Sequence, residues 1–193
     1  MTFLYLLFGH LLSDFVFQTD KIIAWKHKNR TGGIFHSAIH FFVYTAIFLP
    51  IIWNTSANLT FLVLALLHFV IDQKKITWEQ KTHRYVKAFF IDQGIHVVIL
   101  GLASFFINRF SFYGEDVASY VTTNRFVIVY LILAIILSYC VEIVHFQFER
   151  EKQPHLRFKP DFWAIFKRLF IFSLGYGIFM ILSFHEVAKT LLF

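Results

Sequence analysis

The sequence predicts an all-α, polytopic integral membrane protein, a helical bundle of about six transmembrane helices. Three observations predict it. Apolar side chains make up 58% of the chain and aromatics 20%, against 16% charged residues, a balance too apolar for a soluble domain of this length. The apolar runs are continuous, without the polar faces that soluble helices keep. The charges are gathered in short clusters between those runs.

The first run, Thr2–Gln18, reads as a retained helix, because Met1 to His10 lacks the basic n-region and small-residue cleavage site of a signal peptide. Further spans are expected at Ile34–Trp53, Leu59–Asp72, Ala88–Ile107, Arg125–Phe146 and Phe162–Phe184. The first and third fall short of the roughly 20 residues that cross a ~30 Å hydrocarbon core, so they are expected to be sheltered by neighbours or to run past these limits. The length suits one transmembrane domain over 1–193: a four-helix part in 1–107 and two further helices in 108–193. Cys140 is the sole cysteine, which excludes an intramolecular disulfide. Trp25, Trp53, Trp78 and Trp163 fall near helix ends, as an interfacial belt would place them, and Gly101, Gly175 and Gly177 are expected to allow close helix contact.

Lysine and arginine resist translocation, so their distribution sets the orientation. Lys21, Lys26, Lys28 and Arg30 follow the first helix; Lys74, Lys75, Lys81, Arg84 and Lys87 follow the third; Arg150, Lys152, Arg157, Lys159, Lys167 and Arg168 follow the fifth. Together they hold fifteen of the eighteen basic residues. The alternate connections, Asn54–Asn58 and Asn108–Asn124, hold only Arg109. Both termini are therefore expected outside a bacterial cytoplasmic (inner) membrane. The same juxtamembrane clusters account for the formal charge of +6, so no nucleic-acid partner is inferred; the expected partners are the bilayer, anionic lipid or a phosphate-bearing substrate.

Four pairs of potential metal ligands recur at i, i+4: His10/Asp14, His36/His40, His68/Asp72 and Asp92/His96. On a helix that spacing puts both side chains on one face, a turn apart, so one helix can offer two donors to a common ion. The first and third pairs close helices entering the basic side and the second and fourth open helices leaving it, so all four should meet near one membrane face. The order repeats, which suggests two duplicated N-terminal hairpins. An ionised Asp within a span costs on the order of 2.5–3.5 kcal/mol, so Asp14, Asp72 and Asp92 need partners. Imidazoles with a cation would supply them; so would a salt-bridge network with Lys21, Lys75 or Lys87.

Neutral imidazoles with carboxylates suit Zn²⁺, Mn²⁺, Fe²⁺ or Ni²⁺, with zinc the first choice, and the lack of thiolate partners argues against a closed structural zinc site. Eight candidates exceed one tetrahedral shell, so either two ions bind or some residues orient the ligands. Asp72 or Asp92 is expected to act as general base, with Glu142, at i, i+3 from His145, the next choice. Gln18, Gln73 and Gln93 stand beside the Asp-bearing segments.

At these residues the chain resembles a known family. The segments GHLLSDFVFQTDK (Gly9–Lys21), HSAIHF (His36–Phe41), LHFVIDQKK (Leu67–Lys75) and FFIDQGIH (Phe89–His96) resemble the bacterial membrane family named domain of unknown function 3307. The resemblance covers roughly the first hundred residues and maps its His and Asp positions onto the eight above; it implies no activity. The helical HxxxD and HxxxH pairs are also similar in ligand geometry to those of zinc-dependent phospholipase C and the membrane metal-dependent hydrolases related to it. Three functions compete: a metal-dependent hydrolase of a phosphoester or lipid-linked substrate at the cytoplasmic face, a metal-ion or proton transporter, and a non-catalytic assembly or sensing protein. The stretches Phe41–Trp53, Leu59–Leu67 and Val97–Ile107 carry no ionisable residue in the sense a transport path needs, so the one-sided hydrolase ranks first.

Overall fold

In the computed structural model the described residues are 1–49, 55–110 and 125–192, with side chains described for all of these except 108–110 and 183–192. They form helices throughout: α1 (Thr2–Val16), α2 (Asp20–Lys28), α3 (Arg30–Ile47), α4 (Thr55–Thr82), α5 (Tyr85–Phe110), α6 (Arg125–Lys152) and α7 (Phe162–Leu192). Four helices, α4 to α7, are long and apolar enough to cross a membrane. The shorter α1 has ten α-helical and five π-helical residues and α3 has eighteen, reaching about 22 and 27 Å at ~1.5 Å per residue. The Trp53, Asn54 and Glu115 positions lie outside the described residues.

Helices α1, α3, α4 and α5 pack around a common centre, α6 closes the bundle against α1 and α5, and α7 lies chiefly on α6. One half of the bundle is filled by Tyr5, Leu6, Tyr44, Phe48, Phe61, Leu64, Leu100 and Ile107, all buried. Their rings interlock, with Phe48 and Phe61 centroids 5.2 Å apart and Tyr44 and Phe61 6.0 Å. In hydrocarbon such packing is held by close contact rather than by escape from water. The other half is polar.

Two elements differ from the pattern read in the sequence. The stretch after α1 is not a plain basic loop: Asp20–Lys28 is a helix, entered at Thr19, whose Oγ1 accepts from Ile22 N. Helix α4 does not stop at Asp72 but continues to Thr82, because its buried stripe of Phe61, Ala65, His68, Asp72, Ile76 and Glu79 keeps helical spacing into the charged segment. It ends at His83, whose φ of 55° turns the chain into α5 and whose Nδ1 lies 3.2 Å from the Tyr85 hydroxyl. The close helix contacts also fall at other glycines. Gly101, Gly175 and Gly177 face open space, whereas a Cβ on Gly9 would stand 2.9 Å from Tyr44 and one on Gly32 2.5 Å from the backbone of Trp25 and Lys26.

Candidate metal centre

The polar half of the bundle is built around Asp14. Helix α1 carries it on a π turn, Leu12–Val16, where Ser13 Oγ donates back to Gly9 O and Gln18 Nε2 caps Asp14 O; single π turns recur at functional sites. Gly9 lets α1 approach Tyr44 of α3, one turn beyond His40, which brings the carboxylate among the imidazoles. His36 Nε2 and His40 Nε2 each lie 3.0 Å from Asp14 Oδ1 and His68 Nε2 3.5 Å from it, while His10 Nε2 lies 3.4 Å from Oδ2. Gln93 Nε2 donates to the same Oδ2 at 3.2 Å, and its Oε1 stands 3.3 Å from His10 Nε2. All five residues of the Asp14 group are buried, His36 and His40 completely.

The other expected ligands join this cluster. Asp72 Oδ2 lies 3.7 Å from His68 Nε2 and 3.9 Å from His36 Nε2, and Asp92 Oδ1 lies 3.4 Å from His96 Nε2. His96 reaches the centre by ring contact, its centroid 4.5 Å from His68 and 4.8 Å from His10; His40 and His68 are 3.7 Å apart. Two ligand groups stand out, each with donor atoms within 4.8 Å of one another: His10, Asp14, His40 and His68, and His36, His68 and Asp72.

Charge separates the carboxylates. Lys26 Nζ lies 2.7 Å from Asp72, Lys75 Nζ 3.5 Å from Asp92 and 3.9 Å from Glu79, and Arg150 Nη1 3.5 Å from Glu79. Four buried carboxylates thus face three basic side chains, and Asp14 is the one with no lysine or arginine beside it among the described residues. A buried carboxylate with hydrogen bonds but no lysine or arginine counterion is costly, and its neighbours are donors that a transition metal prefers. His68 Nε2 strengthens the fit. It points between Asp14 and Asp72, too far from either for a hydrogen bond, and has no other partner among the described residues. The residues present therefore fit a divalent ion of the zinc type at Asp14. The Nδ1 atoms of His36, His40 and His68 have no acceptor among the described residues, so packing rather than a second hydrogen bond orients those rings.

A family model described as protein of unknown function (DUF3307) matches residues 2–121. The chain belongs to the DUF3307 family. All eight expected ligands fall inside the DUF3307 match, as do helices α1 to α5. No curated protein and no solved structure is significantly similar to the chain.

Glu142 stands apart from the cluster. Its carboxylate takes Arg168 Nη2 at 2.6 Å and Asp161 N at 3.2 Å, which pins the joint between α6 and α7, and neighbouring His145 is exposed. Arg168 also donates to Ser138 O, a carbonyl in the π turn Ile136–Cys140 of α6. Lys26, Glu79 and Arg150 are members of the polar centre that the i, i+4 pattern does not include. The spacing of Glu79 seven residues after Asp72 was the available signal for one of them; nothing local marks Lys26 or Arg150, which arrive from α2 and α6. His27 is half-buried, its Nε2 4.0 Å from Glu79.

A small cavity of about 50 Å³ leads away from Asp14, lined by Lys26, His27, Asp72, Lys75, Gln93 and Arg150 on its polar side and by Phe89, Phe146 and Phe158 on the other. It opens toward the basic ends of the helices, opposite the aromatic plug.

Proposed function

We propose that this chain is a metal-dependent hydrolase of the bacterial cytoplasmic membrane, acting on a phosphoester or lipid-linked phosphate at the basic face, with zinc as its ion. The reading includes six crossings with both termini outside: α1 and α3 are short, but α1 is sheltered by α3, α5 and α6, which lets a thinner helix span. The observation that carries the proposal is Asp14, a buried carboxylate ringed by four imidazole Nε2 atoms with no lysine or arginine beside it among the described residues.

Bound there, such an ion would bring the pKa of a coordinated water toward ~7 and polarise a phosphoryl oxygen. The protein's own groups do the rest. His10, Asp14, His40 and His68 hold the ion. Asp72, 3.7 Å from His68 and held by Lys26, takes up the proton as general base, with Asp92 the next candidate; Glu142 is already committed to Arg168. Lys75, Lys26 and Arg150 on the cavity wall attract the anionic substrate. The cavity holds little more than a water or two, so a phosphate group enters only if α2 or the 153–161 connection moves. The aromatic plug argues against a transport path, because Tyr5, Leu6, Tyr44, Phe48 and Phe61 fill the far side of His40, where the buried polar groups among the described residues are the hydroxyls of Thr2, Tyr5 and Tyr44 rather than carboxylates, imidazoles or basic side chains.

The test incubates purified protein in vesicles with phospholipid phosphates, lipid-linked pyrophosphates and nucleotides, with and without chelator, and follows phosphate release. Chelator-sensitive release that drops about 10²–10⁴-fold in Asp72→Asn with metal retained is the expected result. Metal uptake into the vesicle lumen with no hydrolysis would instead favour transport.

A further inference from the structure

His36, His68 and Asp72 form a second ligand group beside the first. All three are buried and come from α3 and α4. The two groups share His68, yet the Nε2 of one imidazole serves one ion, so two ions could be held together only if another residue spans both positions. Asp14 can: its Oδ2 faces His10, and its Oδ1 lies 3.0 Å from His36 as well as from His40. Carboxylates that face two positions in this way are common bridges in two-metal sites, where the ions stand about 3.5–4 Å apart.

The second position already faces a positive charge. Lys26 Nζ lies 2.7 Å from Asp72 Oδ2, and Lys26 is 6% exposed, which is rare for a lysine. It is not there by default. Lys26 belongs to the nine-residue α2, and α2 lies against α3 only because Gly32 has no Cβ to strike the backbone of Trp25 and Lys26. The chain thus uses a dedicated helix and a required glycine to deliver an ammonium group to a set of metal ligands.

We propose that Lys26 is a tethered cation standing at the second ion position of a two-ion site, and that its removal opens a divalent-cation site on His36, Asp72 and Asp14. The inference rests on the reading of Asp14 as the centre of the first site. With Lys26 in place, a second divalent ion would meet a positive charge at the same carboxylate, so one ion is retained. With Lys26 withdrawn, Asp72 loses the one lysine or arginine within 4 Å of it among the described residues, and His36 offers the neighbouring donor.

The test counts zinc per chain in full-length protein purified in detergent, stripped with chelator, reloaded with zinc and dialysed. Wild type should hold one ion, Lys26→Met two, Lys26→Arg one, and the double variant Lys26→Met/Asp72→Asn one again. A count of one in both wild type and a folded Lys26→Met overturns the inference while leaving the first site intact. A count of zero in wild type overturns the metal reading itself, and the inference with it. If Lys26→Met does not fold, calorimetric titration of wild type decides: one tight binding event, with any second at least a hundredfold weaker, is expected, and two events of comparable affinity overturn the proposal.

Discussion

At the scale of single residues, the buried carboxylates differ in their counterions: Lys26 stands 2.7 Å from Asp72 and Lys75 3.5 Å from Asp92, whereas Asp14 has only imidazoles and Gln93 around it among the described residues. The i, i+4 pairs were visible because helical spacing alone puts His10 with Asp14 and His68 with Asp72. What no spacing reveals is which carboxylate a lysine neutralises, since Lys26 and Asp72 are 46 residues apart. That distinction makes Asp14 the centre and leaves Asp72 and Asp92 ion-paired. His27 gives this polar region a pH signature. Burial first, then the positive charges of Arg150, Lys26 and Lys75, hold its pKa down to about 4 from an ordinary 6.5. Between those values the unfolded chain binds a proton that the folded protein refuses. The contribution is therefore intact above about pH 6.5 and is lost progressively as pH falls toward 4, up to about 3 kcal/mol. Thermal unfolding in detergent should thus weaken from pH 7 to pH 5 in wild type and less steeply in His27→Gln; parallel slopes would rule out a neutral, half-buried His27.

At the scale of elements, helix type was legible where apolar runs are long and illegible where charge interrupts them. In helix α4 the polar run Gln73, Lys74 and Lys75 hides the continuation past Asp72, although Ile76 and Glu79 extend its buried stripe. Helix α2 was hidden for a related reason: its apolar contacts are few, and its place depends on a backbone approach that only Gly32 permits. Alanine would ordinarily favour a helix by ~1 kcal/mol over glycine, but here its Cβ would meet backbone atoms at 2.5 Å, and overpacking of that kind costs about 1–3 kcal/mol. Gly32→Ala should therefore lower thermal stability in detergent and make α2 more susceptible to protease, whereas Gly101→Ala, which meets open space, should do neither. Equal behaviour of the two variants would contradict the docking of α2 described above.

For the whole molecule, membrane character and the convergence of four helices on one polar centre were both readable from composition and pattern, because the bilayer leaves few other ways to arrange continuous apolar runs. The short first helix was readable too, but its π turn was not, since that depends on Ser13 bonding back to Gly9 and on neighbours packed around it. The proposed orientation rests on the basic clusters: a reporter fused after Lys28 or Lys81 should read as cytoplasmic and one after Asn54 or Glu115 as external, and reversal of both would move the centre to the other face. In the proposed site, four of the first five helices converge to hold a metal ion at Asp14. X-ray absorption at the zinc edge on the reloaded protein, with elemental analysis of the same sample, tests it most directly. Bound zinc with nearest neighbours of nitrogen and oxygen only, outer scattering from at least two imidazoles, and loss of most of the metal in Asp14→Asn or His40→Ala but not in Glu142→Gln are expected. Wild-type protein that retains no zinc or other transition metal, or Asp14→Asn that retains it unchanged, would contradict it.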